Sequence, residues 1–193
     1  NGILYAFGGY RYDGSFGAAA GLNNIFTVTP STTTGLLGAN WASNATTMTS
    51  RQYGMSILYY NGNAYTFGGC VASATTFGCS TYSQQVTKYS INGTTIGAGS
   101  TTNLTQLTAG TLDFPNAVMA SAFYDGYVYL CGRANSNATG NGGPQTQKCI
   151  YNKLNSAGTI TTAWSTTTGS LNQTIRRGAA YASNGYLYVY SGH

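Results

Sequence analysis

Four ten-residue stretches align without gaps: NGILYAFGGY from Asn1, NGNAYTFGGC from Asn61, DGYVYLCGRA from Asp125 and NGYLYVYSGH from Asn184. Their starting points lie 60, 64 and 59 residues apart. Each stretch begins with an Asn-Gly or Asp-Gly pair, which favours a two-residue hairpin turn because both turn positions take positive φ. Apolar runs of small residues precede three of them, as expected for the first strand of a hairpin. The repeat therefore predicts a β-hairpin at four points along the chain.

Further β-prone segments follow each hairpin after a variable, glycine-rich loop. NNIFTVTP, QQVTKYSI and QKCIYNKL carry an aromatic residue at Phe26, Tyr89 and Tyr151. A fourth strand is expected to contain Trp41, Leu104 and Trp164. No segment shows a sustained 3.6-residue period, so helices are not expected. Four short antiparallel strands per repeat are typical of one blade of a β-propeller.

The order of these motifs resembles the kelch repeat. A glycine pair ends the second strand at Gly8-Gly9 and Gly68-Gly69, and it degenerates to Gly132-Arg133 and Ser191-Gly192. The resemblance covers essentially the whole chain. In this respect the chain is similar to the central domain of galactose oxidase. It implies an all-β fold, a kelch-like β-propeller of four-stranded antiparallel blades. It also implies that the tyrosines shared by the four stretches pack between blades, with their hydroxyls reaching a partner.

We interpret residues 1–193 as one propeller segment. Its repeats span approximately 1–60, 61–124 and 125–183, and a further blade begins at 184–193. Complete propellers usually have about 4–8 blades, so three repeats fall short of a ring. The segment is therefore expected to be part of a longer propeller, or an open arc that a second copy closes.

Charged side chains are scarce, at 6% of residues against a usual ~25%. There is no Glu, the only acids are Asp13, Asp113 and Asp125, and the only histidine is His193. The chain has too few histidines and acids to form a Ser/His/acid triad, a copper site or a sialidase-type acid cluster. We therefore expect a non-catalytic protein without metal or cofactor. The alternative is a fragment of an oxidase- or sialidase-type propeller enzyme whose catalytic residues lie outside this chain.

The net charge of +5 comes from basic residues spread thinly along the chain. Nucleic-acid binders usually concentrate their basic residues in a patch, so nucleic acid is not an expected partner. No apolar run approaches the ~18 residues of a transmembrane helix, so no transmembrane segment is expected.

The four cysteines form two close pairs, Cys70 with Cys79 and Cys131 with Cys149. No C-x-x-C spacing is present, and two local disulfides are the simplest of three pairings. Disulfides would place the protein in an oxidising compartment, outside the cell or on its surface. Five N-x-S/T sequons permit glycosylation, at Asn44, Asn92, Asn103, Asn137 and Asn172.

Long loops after the second strand of successive blades should share one rim of the propeller. These loops are residues 10–22, 70–85 and 134–148. Binding residues often lie on loops that a rigid scaffold holds, and an Arg with aromatics and amides suits a glycan or an anionic group. The candidate binding residues are Arg11, Tyr12, Asp13, Tyr82, Arg133 and Gln145. The expected partner is a protein or a carbohydrate, and the alternative is a self-assembling surface or filament subunit that pairs through open blade edges.

Overall fold

The computed structural model describes residues 2–11, 20–37, 40–72, 79–107, 119–132, 147–173, 175 and 178–190. These residues contain 18 β-strands. In chain order they are β1 (Leu4–Phe7), β2 (Tyr10–Arg11), β3 (Ala20–Gly21), β4 (Asn24–Val28), β5 (Ala42–Thr47), β6 (Gln52–Tyr53), β7 (Ser56–Tyr60), β8 (Asn63–Phe67), β9 (Cys70–Ala72), β10 (Cys79–Tyr82), β11 (Val86–Asn92), β12 (Thr95–Ile96), β13 (Ala120–Tyr124), β14 (Tyr127–Cys131), β15 (Cys149–Lys153), β16 (Ser165–Thr166), β17 (Ala179–Ser183) and β18 (Tyr186–Tyr190). No helix in the described residues has the length and apolar composition needed to cross a membrane.

Four antiparallel sheets follow one another along the chain, and we number them as blades. Blade 1 has the order β1-β4-β5, blade 2 the order β7-β8-β11-β12 and blade 3 the order β13-β14-β15-β16. Blade 4 is the hairpin β17-β18. Two small ribbons, β2-β3 and β6-β9-β10, extend from blades 1 and 2. The predicted all-β architecture of antiparallel blades is confirmed.

The predicted hairpin turns are present in the three complete hairpins of the described residues. The turn pairs Asn61-Gly62, Asp125-Gly126 and Asn184-Gly185 all have positive φ, between 46° and 80°. This is the backbone of a type I′ turn, which matches the twist of the flanking strands. The Asn-Gly and Asp-Gly signals therefore fixed both the position and the register of these hairpins.

The predicted fourth strands are only partly correct. Trp41 and Trp164 lie just before β5 and β16 rather than within them. Leu104 is in an isolated parallel bridge with Ile160 of blade 3. The outer strand of blade 2 is β12 instead, because a tight turn at Gly93 (φ 57°) folds the chain back directly after β11. Leu104 and Trp164 pack between blades 2 and 3, whereas Trp41 is exposed, and the outer strands form beside these residues.

Adjacent blades bury the alternating side chains of their central strands. On β8, Tyr65 and Phe67 belong to the apolar cluster shared with blade 3, whereas Ala64 belongs to the cluster shared with blade 1. The ring of Trp164 from blade 3 meets that of Phe67 edge-on, with centroids 6.0 Å apart. Because successive side chains of a strand point to opposite faces, one strand serves two interfaces.

Tyrosines at one repeat position also join neighbouring blades. The hydroxyl of Tyr65 in blade 2 donates to the carbonyl of Gly158 in blade 3, at 3.0 Å. Tyr5 in blade 1 donates in the same way to the carbonyl of Gly93 in blade 2, at 2.8 Å. Each bond links the second strand of a blade to the turn after the third strand of the next. The expected role of the tyrosines holds for these two.

Alkaline pH is expected to weaken the contact between blades 2 and 3. Burial, with a smaller contribution from Tyr60, raises the pKa of Tyr65 from 10 to about 12. Below pH 10 both folded and unfolded chains keep the proton, so the stabilisation is complete. Between pH 10 and about pH 12 the unfolded chain alone loses it, and the free energy of unfolding falls.

Urea denaturation at pH 7, 10 and 11 measures this loss. Tyr65→Phe should cost about 1 kcal/mol at pH 7, because one hydrogen bond is removed. The free energy of unfolding of this variant should also fall less steeply with pH than that of the unsubstituted protein. Parallel pH dependences in the two proteins would contradict the assignment to Tyr65.

Candidate functional site

The two ribbons meet on one rim through the short strand β6. The carbonyl of Gln52 accepts from the N–H of Gly9 at 2.9 Å, and the N–H of Gln52 donates to the carbonyl of Leu22 at 3.2 Å. Gly9 and Leu22 bound the β2-β3 ribbon, whereas Gln52 pairs with Val71 of the second ribbon. Arg51 adds a bond from its guanidinium to the carbonyl of Gly21, at 2.9 Å. The described ends of the first two loops therefore lie on one rim, whereas residues 134–146 of the third loop lie outside the described residues.

A groove of 340 Å³ opens on this rim. We call it the glutamine groove; its lining includes Gln52, Thr81, Tyr82, Gln84, Gln85 and Gln106. These residues come from β6, from the end of the second ribbon and from the connection between blades 2 and 3. The N–H of Leu107 donates to the carbonyl of Gln84 at 2.8 Å, which holds the last of these segments against the second.

Several amides of the glutamine groove are available to a ligand. Within the described part of the chain, the side-chain amides of Gln52, Gln85 and Gln106 make no hydrogen bond. Gln85 and Gln106 are exposed, while Gln52 lies at the base of the groove, largely buried. Each amide offers two donors and one acceptor, so the groove can bond hydroxyl groups in either sense. None of the described lining residues is charged, which suits a neutral polar ligand.

The sequence-predicted binding residues are only partly brought into this groove. Tyr82 lines it, at the end of β10. Arg11 ends strand β2 on the first ribbon, and only its backbone is described. Four others lie outside the described residues: Tyr12, Asp13, Arg133 and Gln145. The glutamines were not predicted; the Gln84-Gln85 pair directly after Tyr82 and Ser83 was the one local signal.

A disulfide closes the loop that carries two of those residues. Cys131 and Cys149 lie opposite each other on β14 and β15, with Cα atoms 4.0 Å apart, and are bonded. Cys70 is also disulfide-bonded, and the described residues contain no free cysteine. The Cys131–Cys149 prediction is confirmed. The side chain of Cys79 lies outside the described part, so the Cys70–Cys79 pairing stays a prediction.

The sequons differ in accessibility. The amide of Asn44 donates to the carbonyl of Thr94 at 2.6 Å and its oxygen accepts from the N–H of Thr46, which ties it between blades 1 and 2. Asn92 ends strand β11 and Asn103 lies in a turn, and both are exposed. Asn172 is also exposed, but Thr174 of its sequon lies outside the described residues, as does Asn137. We therefore expect Asn92 and Asn103 to be the better glycan acceptors.

The described residues of the groove can form hydrogen bonds and aromatic contacts with a ligand. The described residues contain no group of three or more His, Cys, Asp and Glu side chains placed to hold a metal ion. Asp125 lies at a hairpin turn, whereas Asp13, Asp113 and His193 lie outside the described residues.

The successive antiparallel blades define an all-β protein of the β-propeller class. The chain matches the solved structure of YjhT, a propeller, with a TM-score of 0.67 and 15% sequence identity. The match covers 98% of this chain and 56% of YjhT, so the chain spans just over half of that protein. No protein-family model and no curated protein matches the sequence. At this identity the likeness shows the fold alone, and it confirms the predicted fold class.

Proposed function

We propose that this protein is a kelch-like, non-catalytic binding module whose glutamine groove holds a carbohydrate. The observation that carries the proposal is that the groove on this rim places the amides of Gln52, Gln85 and Gln106, which make no hydrogen bond within the described residues, beside Tyr82. The proposed partner is a glycan that binds in this groove.

Carbohydrate fits the groove on three grounds. The hydroxyls of sugars both donate and accept hydrogen bonds, and a side-chain amide can accept from or donate to each of them. Tyr82 supplies an apolar ring with a polar end, suited to a sugar face. The volume of 340 Å³ lies within the ~300–1,000 Å³ of ordinary ligand sites. The absence of charge among the described lining residues disfavours a phosphate or another anion.

An extracellular or cell-surface location is the second part of the proposal. A buried disulfide joins Cys131 and Cys149, and Cys70 is in another. Such bonds persist in oxidising compartments. The exposed sequons at Asn92 and Asn103 are consistent with a secreted glycoprotein.

Substitutions in the groove should weaken glycan binding selectively. The probe is an array of neutral and acidic oligosaccharides, followed by calorimetry with the best-retained glycan. Gln85→Ala or Gln106→Ala should each weaken binding about fivefold, the equivalent of one hydrogen bond. Tyr82→Ala should weaken glycan binding roughly tenfold, since the contact of the aromatic ring with the sugar is lost.

Gln147→Ala is the matched control, because Gln147 is an exposed glutamine of blade 3 outside the groove. It should leave affinity unchanged. Retention of no glycan would overturn the carbohydrate proposal and favour a protein partner at this rim. Equal losses in the control and the groove variants would place the glycan elsewhere.

A further inference from the structure

Blade 4 presents an uncovered face of tyrosines. This tyrosine face consists of Tyr181, Tyr186, Tyr188 and Tyr190, with exposures of 60%, 68%, 45% and 58%. The residues that alternate with them, including Leu187 and Val189, pack against the cluster of blade 3. The tyrosine face therefore points away from blade 3, and nothing in the described part of the chain covers it.

The equivalent face of blade 2 is a completed interface. Tyr188 aligns with Tyr65 and Tyr190 aligns with Phe67, both of which are fully buried. Blade 3 covers them, through the ring of Trp164 on Phe67 and the carbonyl of Gly158 on the Tyr65 hydroxyl. The tyrosine face thus carries the residues of one half of this interface.

Blade 1 carries the other half, also uncovered. Trp41 aligns with Trp164 but is 41% exposed, against 4% for Trp164. Gly35 lies in the connection after the third strand, as Gly158 does, with nearly the same φ of 69° against 68°. Beside Gly35, Leu36 and Leu37 are 69% and 48% exposed. An apolar face with these residues is suited to burial against another blade.

We propose that a second copy of this chain docks head-to-tail, its blade 1 covering the tyrosine face of the first copy. Tyr190 then meets the second copy's Trp41, as Phe67 meets Trp164. The hydroxyl of Tyr188 donates to the second copy's Gly35 carbonyl, as Tyr65 donates to Gly158. The contact repeats an interface that the chain already forms within itself, so no new surface is needed.

A second copy is the occupant because both halves of the interface are on one chain. None of the named contact residues is charged, so no desolvated ion opposes docking. A head-to-tail contact closes into a ring when its rotation fits and otherwise extends into a filament.

Light scattering coupled to size exclusion tests the docking on the 193-residue chain, from about 1 to about 200 μM. We expect the mass to rise with concentration to at least twice that of the chain. Tyr190→Ser and Trp41→Ser should each weaken association at least ~10-fold, since buried aromatic anchors dominate interfaces. Tyr59→Ser is the control, because Tyr59 is 61% exposed on β7 and belongs to neither face.

Mixing the Trp41→Ser and Tyr190→Ser variants tests the head-to-tail arrangement directly. A Trp41→Ser copy keeps an intact tyrosine face, and a Tyr190→Ser copy keeps an intact Trp41. The mixture should therefore associate more strongly than either variant alone. A monomer at every concentration, an effect of Tyr59→Ser equal to the others, or no recovery on mixing would overturn head-to-tail docking. Circular dichroism of each variant establishes that it is folded.

Discussion

Phe67→Ala is expected to lower the free energy of unfolding by about 3–5 kcal/mol. Phe67 is fully buried between blades 2 and 3, in van der Waals contact with the largest apolar cluster. Its ring meets those of Trp164 and Tyr65, with centroids 6.0 and 6.4 Å away. Truncation leaves a cavity walled by two rigid blades, which cannot collapse into it. Urea denaturation in dilute solution measures the loss.

Tyr190→Ala is the matched control for this substitution. Tyr190 occupies the same repeat position on blade 4 but is 58% exposed. Its truncation should change the free energy of unfolding by no more than about 0.5 kcal/mol in dilute solution, as for ordinary surface positions. The difference between the two variants isolates the contribution of a covering blade. Similar losses would show that the repeat position matters on its own, regardless of packing between blades.

The features that could be predicted from the sequence are local ones. An Asn-Gly pair specifies positive φ at two adjacent residues, so Asn61-Gly62 encodes its turn wherever it lies in the fold. Strand register then follows from the turn. The Cys131–Cys149 bond was predictable for the same reason, because both cysteines flank one hairpin loop.

Features that depend on packing between repeats could not be predicted in detail. Leu104 was expected in an outer strand, yet it is held by Ile160 of the next blade, more than fifty residues away. The glutamine groove combines Gln52, Gln85 and Gln106, which come from three segments. Only the pairing of β6 with the second ribbon brings Gln52 to the others. A single repeat shows none of these contacts.

Removing the Cys131–Cys149 disulfide should lower the free energy of unfolding by about 2–4 kcal/mol. The bond spans 18 residues and limits the conformations of the unfolded chain. Alanine is the replacement of choice at both positions, because the cysteines are buried among apolar side chains. Urea denaturation of Cys131→Ala/Cys149→Ala, compared with the unsubstituted protein, gives the loss.

Reduction of the unsubstituted protein distinguishes the contribution of the Cys131–Cys149 bond from that of the bond of Cys70. Reduction breaks the bond of Cys70 as well, so it should destabilise the protein more than the double variant does. Glycan binding by the double variant should be unchanged, because no residue of β14 or β15 lines the glutamine groove. Because β14 and β15 still pair over five residues without the bond, the blade itself should persist. A protein equally stable with and without these bonds would contradict the prediction.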